Sequence, residues 1–164
     1  MTAAFEDKFC EPEHLAGRIK RLPEPRVFTN GVFDILHRGH VTYLAEARAK
    51  GNSLIVALNS DASTKRLKGD DRPINSLKDR MAVVAALQSV DLVTWFDEDT
   101  PLELIGICSP DVLVKGADWK KDDMVGAKEV ESRGGSVYSI PFQWATSTSA
   151  LVDRIQDIVR KPKP

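Results

Sequence analysis

His37 and His40 stand three positions apart in Gly31-Val32-Phe33-Asp34-Ile35-Leu36-His37-Arg38-Gly39-His40. On one helical turn that spacing places two side chains on one face, so both imidazoles reach a single oxyanion. The string offers donors without an obvious nucleophile. That suits direct phosphoryl or nucleotidyl transfer, in which the protein positions reactants and neutralises charge building on a pentacoordinate phosphorus. A single histidine on an amphipathic helix is ordinarily a structural residue, because imidazole titrates near neutrality and is common at surfaces. Two of them in H-x-G-H, directly after a G-x-F-D turn, are a stronger signal. Zinc is the competing use, but a catalytic zinc usually takes three protein ligands. The remaining histidine is His14, and Cys10 and Cys108 lie far from the motif without paired spacing. No side-chain metal site is expected.

The elements that must position the pair can be read around it. Residues 26–30 begin as an apolar β-type run, with a turn expected at Asn30-Gly31. From Gly39 onward Val41, Leu44, Ala45 and Arg48 recur at helical spacing, with Gly51 placed as the residue that ends the helix. The histidines thus sit where a strand hands over to a helix. In an α/β sheet this is the ligand edge, and free N–H groups of a helix N-terminus favour phosphate there. Gly31 and Gly39 carry no Cβ and leave room for a ligand near the backbone.

Further strands are expected at residues 53–59, 92–96, 111–115 and 136–140, of which 53–59 and 111–115 read as runs that a parallel sheet buries on both faces. Between them a helix opens at the capping-box variant Ser76-Leu77-Lys78-Asp79, with Met81, Val84, Ala85 and Leu87 on its buried side. Another is expected over 100–108, with Thr100 as N-cap and Pro101 at N1, and a third over 122–133. Leu151, Ile155, Ile158 and Val159 mark a C-terminal amphipathic helix. Such alternation predicts one three-layer α/β/α Rossmann-like domain around about five parallel strands. Its expected span is 26–160. A helical extension over 1–25 precedes it, with Leu15, Ile19 and Leu22 on one side and Pro23 and Pro25 ending the helix, and a disordered tail over 161–164 follows.

Several polar residues fall at the predicted ligand edge. Asn59 ends the second strand run. The stretch 61–71 reads as a polar, basic loop whose Lys65, Arg66 and Lys68 are either solvated charges or cations that reach over polyphosphate oxygens. Arg80 lies in a first helical turn, where a cation opposes the dipole. Its compensating anion is Asp79, another carboxylate or a substrate phosphate. Lys115 ends a buried strand at the same edge. The run Thr146-Ser147-Thr148-Ser149 supplies either a helix cap or hydroxyl and backbone donors for phosphate.

Composition narrows the classes. A net charge of −1 over 164 residues gives no general attraction to nucleic acid or anionic membranes, so a phosphate site must be local. With 42% hydrophobic and 29% charged residues the chain is ordinary for a globular domain. Two cysteines without a framework pattern, no signal-peptide core and no long apolar run lead to the expectation of a cytoplasmic protein.

The motif string resembles the signature of the cytidylyltransferase-like nucleotidyltransferase superfamily. Over residues 26 to 158 longer strings resemble the D-glycero-β-D-manno-heptose 1-phosphate adenylyltransferases: Phe28-Thr29-Asn30-Gly31, Leu58-Asn59-Ser60-Asp61-Ala62-Ser63, Arg66-Leu67-Lys68-Gly69, Arg72-Pro73-Ile74-Asn75, Asp79-Arg80-Met81-Ala82-Val83 and Asp111-Val112-Leu113-Val114-Lys115-Gly116. The resemblance implies ATP as substrate, a sugar 1-phosphate acceptor, ADP-heptose as product and Mg²⁺ held mainly by the nucleotide phosphates. It implies adenosine near Thr29, Asn30, Gly31, Val32 and Phe33, the α-phosphate at His37, Gly39 and His40, and the sugar phosphate facing Asn59, Arg80, Lys115, Asp118 and Trp119. It also implies that the hydroxyl run contacts nucleotide phosphates, although Ser149 and Ala150 stand where a second threonine and a basic residue are usual. A homo-oligomer, with a dimer favoured, is expected. The alternatives are a cytidylyltransferase for glycerol 3-phosphate or a related alcohol phosphate, and a non-catalytic nucleotide-binding module, against which the intact histidine pair argues.

Overall fold

The computed structural model describes residues 3–116, 120, 123–141, 143–144 and 147–160. Five parallel strands, β1 (Arg26–Gly31), β2 (Ser53–Asn59), β3 (Leu92–Phe96), β4 (Val112–Gly116) and β5 (Ser136–Ile140), form one sheet in the order β3-β2-β1-β4-β5. The helices are α1 (Leu15–Ile19), α2 (Arg38–Arg48), α3 (Asp61–Lys68), α4 (Leu77–Ala85), α5 (Leu102–Cys108), α6 (Ala127–Ser132) and α7 (Thr148–Arg160). A parallel sheet must be covered on both faces. Tyr43, Leu44 and Ala47 of α2 pack with Met81, Val84 and Ala85 of α4 in one core cluster. Leu15, Ile19, Leu104, Ile105, Cys108 and Val130, from α1, α5 and α6, pack in the other. The three-layer α/β/α architecture read from the alternation is the one observed.

The segment before β1 covers an edge of this sheet. Phe9 bridges to Val93 of edge strand β3, the Cys10 N–H donates to the Val93 carbonyl at 2.9 Å, and Trp95 Nε1 donates to Glu11 at 2.9 Å. An open edge strand is a template for unwanted pairing, and this cover blunts it.

Several local expectations are corrected. The strand runs through Asn30 and Gly31 instead of turning there, and the reversal falls at Phe33, whose φ is 50°. The buried face of α2 is Gly39, Tyr43, Leu44 and Ala47, a phase offset from the expected stripe, and Val41 is 44% exposed. Gly51 is not the residue that ends the helix. It is required because a Cβ there would lie 2.4 Å from the Pro25 carbonyl oxygen, where the chain enters β1. Residues 61–68 form a helix and not a loop, capped by Ser60, whose Oγ accepts from the Ser63 N–H at 2.9 Å. Helix α5 begins at Leu102 with Pro101 as its cap residue, and α6 begins only at Ala127, after Gly126 at φ 86°. Asp122 and residues 161–164 lie outside the described residues.

Candidate active site

Strand order decides where the site lies. β1 pairs with β2 along its whole length, but with β4 the registered pairs are Val27 with Val112 and Phe28 with Leu113. Beyond them the two strands splay, and β1 and β4 flank the point where strand order reverses, the place where open α/β sheets bind ligands. Tyr43 reaches into the gap from α2. Its hydroxyl bonds Thr29 Oγ1 at 2.5 Å and donates to the Val114 carbonyl at 3.3 Å. Thr29 is therefore fully buried as a strut of the splay and does not line the cleft.

A cleft of about 560 Å³ opens over these strand ends. Of the residues singled out from sequence, it brings together Asn30, Gly31, Val32, Phe33, His37, His40, Asn59, Lys68, Lys115, Ser147, Thr148 and Ser149. Gly39 and Arg80 are not on its wall, and Thr146, Asp118 and Trp119 lie outside the described residues.

The histidines are placed by the helix start. His37 is the cap residue of α2, with extended backbone, and its Nδ1 accepts the Gly39 N–H at 3.1 Å. A ring nitrogen used as acceptor carries no proton, so the proton of the neutral imidazole is on Nε2. The His40 ring lies 3.9 Å from that of His37, and Phe33 meets His40 edge-on at 5.4 Å. The left-handed backbone of Phe33 is costly for a bulky residue, and it turns that ring toward His40. A Cβ on Gly31 would sit 3.0 Å from the same ring, so the room left by this glycine is taken partly by Phe33. Burial pushes the His37 pKa down; burial, and then the neighbouring His37, push that of His40 down to about 4. Near neutral pH both rings are uncharged donors. The first turn of α2 holds no acidic residue, so its dipole remains available to an anion although the Gly39 and His40 N–H groups are already donated to His37.

Cationic charge comes from two sides. Lys68, in the last turn of α3, lines the cleft, while Arg66 is turned away to Asp99 at 3.0 Å and the Asp97 carbonyl. Lys115, from the end of β4, also lines it, and burial lowers its pKa to about 8. Among the described residues neither lysine has a carboxylate in ion-pair range, so both can meet phosphate oxygens.

Arg80 works beneath the cleft. Its side chain is 0% exposed and donates to the carbonyls of Asn75 (3.1 Å), Val32 (2.7 Å) and Asn59 (2.9 Å), and to Asp61 (2.7 Å). The compensating anion is thus Asp61, the first residue of α3, and the guanidinium ties the end of β2 to the segments after β1 and before α4.

Sequence reasoning passed over Asp34, although it lies inside the motif. Its carboxylate accepts from the Ile74 and Asn75 N–H groups at 2.9 Å each and pairs with Arg72 at 2.6 Å. Burial alone would raise its pKa, but the two backbone donors and the Arg72 guanidinium outweigh it and hold the carboxyl below the usual range. Asp34 therefore clamps the segment carrying Arg72 onto the cleft wall. Phe96, Asp99, Thr100, Pro101 and Val125 complete the wall toward β3 and α5 and were not anticipated either.

Together the strand order, the splayed switch point and the donor-rich cleft define a doubly wound α/β domain built for an anionic ligand. Residues 28–152 match the cytidylyltransferase-like family, and the chain belongs to that family of nucleotidyltransferases. It is 51% identical over 158 residues to the D-beta-D-heptose 1-phosphate adenylyltransferase of Bordetella bronchiseptica, spanning 94% of this chain and 98% of that protein. It is 56% identical over 133 residues to the bifunctional protein HldE of Escherichia coli K12, and this match covers 81% of this chain but 28% of HldE. Among solved structures, a lipopolysaccharide core biosynthesis protein from Thermoplasma volcanium is 31% identical, with a TM-score of 0.59 over 74% of this chain and 98% of that one. A pantoate-beta-alanine ligase from Francisella tularensis, 13% identical over 94% of this chain and 79% of its own, shares the fold at a TM-score of 0.59.

Proposed function

We propose that this protein transfers AMP from ATP to D-glycero-β-D-manno-heptose 1-phosphate, giving ADP-heptose and pyrophosphate for the lipopolysaccharide inner core. The observation that carries the reading is the 51% identity, across almost the whole chain, to a heptose 1-phosphate adenylyltransferase. The paired imidazoles at a helix start supply chemistry that suits it. A phosphate oxygen of the acceptor attacks the α-phosphorus of ATP in line, the new P–O bond forms, and the bond to the β-phosphate oxygen breaks. His37 and His40 donate N–H groups to the α-phosphate oxygens as charge builds, and Lys68 and Lys115 offset the charge of the polyphosphate and of the acceptor phosphate. None of these residues forms a covalent intermediate.

Mg²⁺ enters this reading on the nucleotide. The oxygens of Asp34 are engaged by Arg72 and two N–H groups, and among the described residues no three His, Cys, Asp or Glu side chains converge on a point. Such a donor set fits an ion held mainly by phosphate oxygens, whose chemistry when bound is to neutralise the leaving pyrophosphate. The reading also carries a cytoplasmic homodimer. No described helix is long and apolar enough to cross a membrane, and the exposed Ile155, Ile158 and Val159 of α7 offer a face for a second copy. Sedimentation equilibrium tests the dimer.

The decisive assay is pyrophosphate release with ATP or CTP against a panel of sugar and polyol phosphates. Release with ATP and heptose 1-phosphate is expected. A preference for CTP and glycerol 3-phosphate would overturn the assignment.

A further inference from the structure

Arg38 occupies the first turn of α2, where the positive end of the helix dipole opposes a cation. Its charge is accommodated there by an aromatic face: the guanidinium carbon lies 3.5 Å from the centroid of the Trp144 ring. Trp144 is half-buried, and its indole Nε1 is enclosed without an acceptor among the described residues. The ring face, not the N–H, is therefore what holds this side chain.

The contact joins two parts of the site. Trp144 lies three residues before Ser147, and Ser147, Thr148 and Ser149 line the cleft. Two further ties run beside the stack. Gln143 Nε2 donates to Glu46 of α2 at 2.5 Å, and Thr148 Oγ1 donates to the Ile35 carbonyl at 3.3 Å. The first turn of α7 is closed on itself by the Ala150 N–H to Ser147 Oγ and the Leu151 N–H to the Ser147 carbonyl, both 3.1 Å. α7 buries no residue fully, and its Leu151 and Val152 are only half-buried, so packing of a helix face holds this turn weakly. The ties to α2 and to the motif loop supply the rest.

We infer that Arg38 and Trp144 are positioning residues for the nucleotide: their stack fastens the first turn of α7 beside His37 and His40, so that two helix N-termini converge on one phosphate group. This rests on the proposed reaction only in taking a nucleoside triphosphate as the ligand of the cleft. Thr148 adds one neutral hydrogen bond and Gln143 one exposed bond to the Glu46 carboxylate, and the cation–π contact corresponds to about a 3- to 30-fold change in an equilibrium constant. Loss of the stack is readable on that scale.

The test is calorimetry of ATP binding to the full chain carrying Trp144→Ala, Arg38→Ala or both, with Trp144→Phe as the conservative variant. Each single change should weaken ATP binding about 3- to 30-fold, and the double variant no further than either single, because both remove the same contact. Trp144→Phe should keep most of the affinity. The KM for ATP should rise while the KM for the sugar phosphate and the thermal midpoint stay put, and amide exchange at Ala150 and Leu151 should quicken. Additive losses would mean that Arg38 meets phosphate by itself and would overturn the inference. So would affinities within twofold of wild type, or losses that track the thermal midpoint. The proposed reaction is scored separately: a wild type that binds ATP but releases no pyrophosphate with any sugar phosphate sinks that reaction and leaves the stack to be judged by the affinities. A wild type that binds no ATP sinks both.

Discussion

Two helices whose N-termini border the cleft, α2 and α7, are held in opposite ways. α2 sinks Gly39, Tyr43, Leu44 and Ala47 into the core, and its first turn carries the histidine pair. α7 buries no residue fully, and its Ile155, Ile158 and Val159 are 56%, 61% and 77% exposed. Both have amphipathic sequences, so the pattern that predicts a helix does not say how firmly it is anchored. The difference has a physical use. Groups that stabilise a transition state must be held to a fraction of an ångström, and they sit on the helix that the core fixes. Groups that only gather phosphate tolerate a helix fastened by a few polar and stacking ties.

The largest expected effect lies on the anchored side. His37→Ala and His40→Ala should each lower turnover roughly 10²- to 10³-fold with folding nearly intact, while Ser147→Ala should cost less than about tenfold, since a neutral hydrogen bond contributes about 1 kcal/mol. Steady-state kinetics checks this. Histidine variants within threefold of wild type would remove the distinction between the two helices.

Next in size is the strut. Tyr43→Phe removes the hydroxyl that serves the Val114 carbonyl and Thr29 where β1 and β4 part, and should cost about 1–3 kcal/mol in urea unfolding. A cost below about 0.5 kcal/mol would show that the splay needs no such support.

Lys115→Ala should weaken use of heptose 1-phosphate about tenfold, the scale of one charge-assisted contact, and leave ATP affinity nearly unchanged by calorimetry. If ATP binding were lost and acceptor binding kept, Lys115 would belong to the nucleotide half of the cleft. Burial lowers its pKa to about 8, so the free enzyme holds the charged form below that pH and loses it above. kcat/KM for the acceptor should therefore fall as pH rises through about 8, and Lys115→Arg should move the fall upward. A profile identical in the arginine variant would assign it to another group.

The smallest effect belongs to the exposed stripe. Ile155→Ser should change the unfolding free energy of the monomer by less than about 0.5 kcal/mol, whereas Leu44→Ala, in the core under α2, should cost about 2–5 kcal/mol. Should Ile155→Ser cost more, and more at high protein concentration than at low, α7 is buried by a second copy and the contrast applies only to the isolated chain.

What the sequence determined by itself is local. Apolar runs marked the strands, most plainly β2, all of whose residues are buried, because a strand buried on both faces has no polar positions to blur it, and residues adjacent in the chain marked the motif carrying His37 and His40. Helix α3 was missed for the complementary reason. Its residues are mostly polar or charged and bury only Ser63 and Thr64, so it has no apolar stripe to read, although the Ser60 cap was there to be noticed. Tertiary structure decided what depends on partners distant in sequence. It assigned Asp61 to Arg80, bound Asp34 to Arg72 and Asn75, turned Thr29 inward onto Tyr43, gave Gly51 its reason in the nearby Pro25 carbonyl and left the apolar stripe of α7 exposed. Each follows from which strands lie side by side and where two of them splay, and strand order is a property of the whole chain that no local periodicity encodes.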